Sequence, residues 1–172
     1  GGLPKQHRSI GGEAILARAV RLFGDHPDIG AVAVVIHPDD AALYKAAVGD
    51  AAGLLPPVSG GATRQASVLR GVEALEPLAP AAVLIHDAVR PFASPALLTR
   101  VIDALESHDA VLAASPVTDT LKRADADGFV GDTVPRENLF AAETPQGFRF
   151  AAILDAHRRA ATAGVEVTDD AA

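Results

Sequence analysis

Three short apolar runs constrain this chain more than any other feature of its sequence. Residues 31–36 (AVAVVI), 81–85 (AAVLI) and 110–114 (AVLAA) are unbroken stretches of Ala, Val, Leu and Ile. They are too short to be core helices, so all three read as strands, 31–36 as a buried one and 81–85 as one buried on both faces. Before, between and after them the apolar spacing becomes helical. Ile15, Leu16, Ala19, Val20 and Phe23 mark a helix over 13–23, punctuated by Gly24 and Pro27. Pro38, Asp39 and Asp40 open a second helix that runs to about 48. A third runs from about 63 to 75 behind Gly60 and Gly61, and a fourth over 95–107 with Ser94 as its N-cap. A last helix is expected over 151–163. Strands alternating with helices predict an α/β fold with a mainly parallel sheet covered on both faces.

The rest of the chain is punctuation. Residues 1–12 read as a loop, 54–58 as a weak strand interrupted by Pro56 and Pro57, and 165–167 as a short final strand. Residues 117–123 and 129–134 flank Asp125-Ala126-Asp127-Gly128, a turn composition that predicts a β-hairpin. That hairpin is an excursion from the alternating pattern, an arm over about 116–138. Residues 1–172 otherwise read as a single domain.

Composition removes several functions. Aromatic residues make up 4% of the chain, with no Trp and one Tyr, too few for a base-stacking surface. The net charge of −7 opposes binding to nucleic acid or to an anionic membrane. An acidic protein that handles phosphates must gather its few cations locally or recruit a metal. The absence of Cys excludes disulfides and thiolate chemistry and fits a reducing cytosol. No apolar run approaches the roughly 18 residues of a membrane span, and no secretory signal is visible, so a cytoplasmic protein is expected. The chain opens on Gly1-Gly2 without Met and closes on Asp169-Asp170-Ala171-Ala172. Both ends read as cuts from a longer chain.

Ionisable residues collect in a few places. GGLPKQ offers glycine N–H groups and Lys5 to an anion, or else it is a plain Gly/Pro loop with a solvated lysine. GGATRQASV sets Gly61 before a helix whose first turns carry Thr63, Arg64 and Ser67. A helix N-terminus favours anions, although simple capping by Thr63 with a solvated Arg64 accounts for it equally. In IHDAVRP, Asp87 and Arg90 follow the buried run at 81–85, where open α/β sheets bind ligands. Asp87 suits a ribose hydroxyl or a water in a metal's outer shell, and Arg90 suits a bidentate phosphate contact; an internal Asp–Arg pair is the bland account. Thr120, Lys122, Arg136 and Thr144 are donors on the arm and its return, of the kind that suit a phosphate monoester. Thr168 and Asp169 either cap a further helix or contact substrate. The six histidines show no metal-ligand spacing and read mostly as surface residues, and neither a G-x-S-x-G elbow nor a G-x-G-x-x-G is present.

Taken in this order, GGLPKQ, GGATRQASV, IHDAVRPF, PVTDTLKR, TVPRENL, TPQGF and VTDDAA resemble the 2-C-methyl-D-erythritol 4-phosphate cytidylyltransferases, over nearly the whole chain. The wording of GGLPKQ, IHPDD, GGATRQ and TPQGFRF is similar to the bifunctional enzymes of that family, in which a 2-C-methyl-D-erythritol 2,4-cyclodiphosphate synthase domain follows. The resemblance implies a Rossmann-like three-layer sandwich of the nucleotide-diphospho-sugar transferase type. It implies transfer of CMP from CTP to the sugar-alcohol phosphate with release of pyrophosphate, in non-mevalonate isoprenoid biosynthesis. Mg²⁺ is expected to be held mainly by the CTP phosphates, with no metal ligand from the protein. A homodimer clasped through the arm is also implied, in a bacterial cytoplasm. By motif, Lys5 matches a lysine on the CTP phosphates, and Gly61 and Ser67 lie at the cytosine and ribose end. Asp87 falls between nucleotide and acceptor. Arg90, Thr120, Arg136, Thr144 and Thr168 match acceptor-binding positions, and Lys5 and Arg136 are the implied catalytic cations.

The chain departs from the family pattern as well. The first strand and its A-A-G-x-G-x-R loop, and the N-[IF]-K-[VLT]-T stretch beyond TDD, fall outside these residues. Ala62 and Pro135 stand where many members have an acidic residue. Two alternatives follow: a related enzyme that uses ribitol phosphate as acceptor, or a degenerate nucleotide-binding module without catalysis.

Overall fold

The computed structural model describes residues 2–49, 53–165 and 170. Lys5–His7 form one 3-10 turn, and the chain then makes a small antiparallel hairpin, β1 (Ser9–Ile10) with β2 (Glu13–Ala14). The segment expected as a plain loop therefore carries local structure, and Glu13 is extended rather than helical. Helix α1 (Ile15–Gly24) follows, then β3 (Val35–Ile36), α2 (Ala41–Val48), β4 (Val58–Ser59) and α3 (Arg64–Leu75). Next come β5 (Ala82–Ile85), α4 (Pro95–Ala104), β6 (Ala110–Pro116), β7 (Leu121–Ala124), β8 (Val130–Val134), β9 (Phe140–Arg149) and α5 (Phe150–Ala163). Thr63 caps α3 by accepting the Ala66 N–H, and Ser94 caps α4 by accepting that of Leu97. These are the local bonds their residue types predict. The final strand expected over 165–167 lies mostly outside the described residues.

The α/β class holds, but the strand pairing is more mixed than simple alternation implies. β3 runs parallel to β4, and an isolated parallel bridge joins Val32 to Leu54. Only the end of the apolar run at 31–36 is regular strand. The larger sheet has the order β5-β9-β6, with β9 antiparallel to both neighbours. β9 was not visible in the sequence because Pro145 and Gly147 interrupt it, and both demote a segment as a central strand. The register explains why the proline is tolerated. The β5 ladder stops at Gln146, and the β6 ladder shifts between Leu112 and Ala114, so neither ladder pairs Pro145.

Alternation along β9 places helices on both faces of this sheet. Phe148 packs with Val72 of α3, Val83 of β5, and Phe150, Ile153 and Leu154 of α5. A side chain at the neighbouring Gly147 would run into Val101 and Leu105, on the α4 side. A second core joins Leu16 and Val20 of α1 to Val34 and Tyr44. Between the two cores lies a cavity of about 1000 Å³, lined by Val20, Phe23, Val32, Val34, Val68, Val83 and Ile85 among others. Among the described residues β3 pairs only with β4 and β5 only with β9, and both strands contribute to the cavity wall.

The hairpin forms as its turn composition predicts. Leu121 pairs with Val134 and Lys122 with Thr133, and the Asp125 carboxylate accepts the N–H groups of Asp127 and Phe129. Gly128 sits at φ +84°, the left-handed region that glycine enters freely. Among the described residues β7 and β8 pair only with each other, and Phe129 and Val130 at the tip are 72% and 71% exposed.

Candidate functional site

The site is assembled where β5 ends. After Ile85 the chain turns sharply, the Arg90 N–H reaching back to the Asp87 carbonyl at 2.9 Å. Arg90 also donates from Nε to Asp87 Oδ2 at 3.2 Å. The turn is fastened to β9, because Thr144 Oγ1 accepts the Asp87 N–H at 3.2 Å and lies 3.0 Å from His86 Nδ1. The other ring nitrogen of His86 lies 3.0 Å from the Arg90 carbonyl. Three of the residues singled out from sequence, Asp87, Arg90 and Thr144, are thus brought together, with His86 as the hub.

The start of α3 approaches the same place. Ser67 Oγ accepts the Gly61 N–H at 3.0 Å and donates to the Thr63 carbonyl at 2.9 Å. Gly61 is required here, since a Cβ would stand 2.5 Å from that of Ala66. Arg64 is not the solvated side chain that its sequence position allows. Its Nη2 lies 2.6 Å from Asp170 Oδ2 and 3.9 Å from Asp87 Oδ1. Each Asp87 carboxylate oxygen therefore has a guanidinium near it.

Asp170 is the buried end of this network, with its side chain 1% exposed and His157 Nε2 3.5 Å from Oδ1. Burial, the largest single influence, pushes its carboxyl pKa up, but His157 and Arg64 outweigh burial and leave it below the ordinary carboxylate value. A carboxyl with a lowered folded pKa adds stability above its unfolded pKa of about 4 and loses it as pH falls through the folded value. Asp170→Asn is therefore expected to flatten the acid limb of a Tm-against-pH curve below about pH 5. A uniform downward displacement of the curve at every pH would contradict this.

Lys5, Thr120 and Arg136 are not drawn into this cluster. Lys5 is exposed on its 3-10 turn, while its neighbours Gln6 and His7 line a cavity of about 210 Å³ together with Asp40, Asp87 and Ala88. Thr120 and Arg136 are exposed at the base of the arm, where Arg136 donates to the Thr118 carbonyl. Thr168 lies outside the described residues. The expectation that most histidines are on the surface is corrected: His7, His26 and His157 are buried, each beside an aspartate (Asp40, Asp28 and Asp170). An imidazole can be buried when a carboxylate or hydroxyl meets its polar nitrogen, and no local pattern signals that partner.

Among the described residues no group of three or more His, Asp or Glu side chains is placed to hold a metal. The Asp87 carboxylate, flanked by Arg64 and Arg90, does not fit the role of a resident metal ligand. No helix of the described residues is long and apolar enough to cross a membrane.

The profile of the family described as IspD, 2-C-methyl-D-erythritol 4-phosphate cytidylyltransferase, matches residues 1–172. A protein of Nitrobacter hamburgensis named bifunctional enzyme IspD/IspF is 55% identical over 99% of this chain and 42% of its own length. One of the same name from Paramagnetospirillum magneticum is 53% identical over 100% of this chain and 44% of its own. The chain thus spans less than half the length of these relatives. Among solved structures, the 4-diphosphocytidyl-2C-methyl-D-erythritol synthase of Anaerococcus prevotii superposes with a TM-score of 0.84 at 32% identity, covering 95% of this chain and 71% of that one. The 2-C-methyl-D-erythritol 4-phosphate cytidylyltransferase of Thermus thermophilus gives 0.79 at 36%, covering 99% and 77%.

Proposed function

The chain belongs to the IspD family of 2-C-methyl-D-erythritol 4-phosphate cytidylyltransferases, and on that premise we propose that it is the part of a longer protein that transfers CMP from CTP to 2-C-methyl-D-erythritol 4-phosphate. In this reaction an oxygen of the acceptor phosphate attacks the α-phosphorus of CTP. The bond from that phosphorus to the bridging oxygen of the β-phosphate breaks, and pyrophosphate leaves with the electron pair. The nucleophile is already an anion, so no strong base is needed. The work of the protein is to bring two anions together and to offset charge on the α-phosphate.

The observation that carries this reading is the convergence of residues distant in sequence. Asp87 and Arg90, Thr144 of β9, and Arg64 at the start of α3 meet through direct polar contacts at the carboxyl end of β5. In the proposed assignment Lys5 serves the CTP phosphates, and Gly61 and Ser67 lie at the cytosine and ribose. Asp87 lies at the junction of the two substrates. Arg90, Thr120, Arg136, Thr144 and Thr168 hold the acceptor. Mg²⁺ is assigned to the triphosphate of CTP, where it would neutralise charge.

The cavity between β3 and β5 supports a further part of the proposal. A strand supplied by chain outside these residues would pair with both strand edges and fill the apolar space. The exposed Phe129 and Val130 of a self-paired hairpin support an arm that clasps a second copy, giving a homodimer. The bifunctional relatives support a fused cyclodiphosphate synthase domain. Bacterial relatives and the absence of a membrane-length apolar helix among the described residues support a cytoplasmic location.

A pyrophosphate-release assay on the full-length protein, with CTP and either 2-C-methyl-D-erythritol 4-phosphate or ribitol phosphate, tests the assignment. Turnover with the first at a kcat/KM at least about tenfold higher, roughly 1.4 kcal/mol of discrimination, is expected. Preference for ribitol phosphate, or no turnover with either, overturns it.

A further inference from the structure

The partners of His86 fix where its proton sits. Nε2 lies 3.0 Å from the Arg90 carbonyl, and a carbonyl oxygen has no proton to give, so Nε2 carries one. The half-buried ring packs against Phe23 with centroids 4.9 Å apart. Burial, the largest influence, lowers its pKa below the ordinary histidine value, although the Arg90 carbonyl and Asp87 act the other way and the Arg90 guanidinium adds to the lowering. Near neutral pH the ring therefore holds one proton, and Nδ1 presents a lone pair. Among the described residues the Thr144 hydroxyl, 3.0 Å away, is the group that donates to it.

The chain of bonds then has one direction. The Asp87 N–H donates to Thr144 Oγ1, the Thr144 O–H to His86 Nδ1, and His86 Nε2–H to the Arg90 carbonyl. Thr144 has one proton and has given it to the ring. What it offers a ligand is an acceptor lone pair. A phosphate oxygen would meet that lone pair unfavourably, whereas a hydroxyl can donate to it. We propose that His86 is a positioning residue that holds Thr144 as a hydrogen-bond acceptor, so that Thr144 reads a hydroxyl of the polyol portion of the acceptor and not its phosphate. This rests on the reading that Thr144 touches the acceptor. It replaces the donor role that its sequence company suggests.

Two measurements on the full-length protein test the proposal. In ¹⁵N NMR of histidine-labelled protein near pH 7 without substrates, with His86 assigned by its loss in His86→Gln, Nδ1 is expected to show an unprotonated shift and Nε2 a protonated one. An imidazolium or an Nδ1–H tautomer overturns the proposal. In kinetics, Asn places an oxygen near the position of Nδ1 and still accepts from Thr144. Gln places its amide near Nε2 and leaves Thr144 without an acceptor. His86→Gln is expected to raise the acceptor KM about tenfold more than His86→Asn does, with matched KM values for CTP, the size of one lost hydrogen bond. Equal effects of the two variants overturn the proposal. If the wild-type protein shows the expected tautomer but no cytidylyl transfer, the functional reading fails and takes the hydroxyl assignment with it, while the tautomer stands.

Discussion

Replacing Arg136 by alanine in the full-length protein is expected to raise the KM for the acceptor phosphate by about ten- to a hundredfold, with the KM for CTP changed by less than about threefold. The range corresponds to roughly 1.5–3 kcal/mol for a hydrogen bond to a charged group, at 1.4 kcal/mol per tenfold. Arg136 follows β8, on the return from the arm, and it is exposed. A bond from its side chain to the Thr118 carbonyl ties the guanidinium to the opposite side of the arm's base. That bond engages one N–H of a fork that carries five, and the planar fork suits a phosphate better than an ammonium does. Arg136→Lys keeps the charge but loses the fork, so it is expected to recover only part of the loss. Steady-state titration of each substrate at a saturating level of the other reads the split. Equal rises in both KM values would remove Arg136 from the acceptor phosphate.

The second large effect is on folding. Gly147→Val is expected to destabilise the protein by about 3 kcal/mol, the upper end of ordinary overpacking costs. Gly147 lies in the middle strand of the larger sheet, between Leu84 on β5 and Val111 on β6. Even a bare Cβ there would stand 2.7 Å from Val101 Cγ1, 2.9 Å from Leu105 Cδ1 and 3.1 Å from Leu84 Cδ2. Val101 and Leu105 are both 3% exposed, so they have no solvent to move into. Chemical denaturation midpoints measure the loss. Gly131→Ala is the control, since its Cβ would meet only the Arg123 carbonyl at 3.4 Å on the exposed arm. A loss at Gly147 no larger than at Gly131 would mean that α4 does not seat on β9 as described.

These two residues mark different degrees of legibility. Arg136 was a candidate from its neighbourhood alone, and the structure adds its tether to Thr118. Gly147 is legible in the sequence only as part of TPQGF, because a glycine two residues after a proline argues against a central strand. Its role exists only once α4 is laid across the sheet. The same holds for Arg64, which has the same local sequence whether it is solvated or locked to Asp170. The partner that decides lies 106 residues away. The place of His86 as a hub likewise depends on Thr144, 58 residues distant.

The sequence by itself determined what short-range physics controls. Apolar runs of strand length became β5 and β6, Thr63 and Ser94 became caps, and Asp125 to Gly128 closed a hairpin, because each depends on neighbours within a few residues. Asp87 and Arg90 do follow a strand for the same reason, although in β5 Val83 alone is buried and its neighbours are only half-buried. Tertiary structure alone decided that Phe140–Arg149 is the middle of the larger sheet, since the stabilisation of β9 comes from pairing with β5 and β6 on either side. It also decided which polar groups meet at the end of β5. A buried carboxylate or imidazole is stable only beside its partner, and where that partner lies is a property of the packed fold and not of any window of sequence.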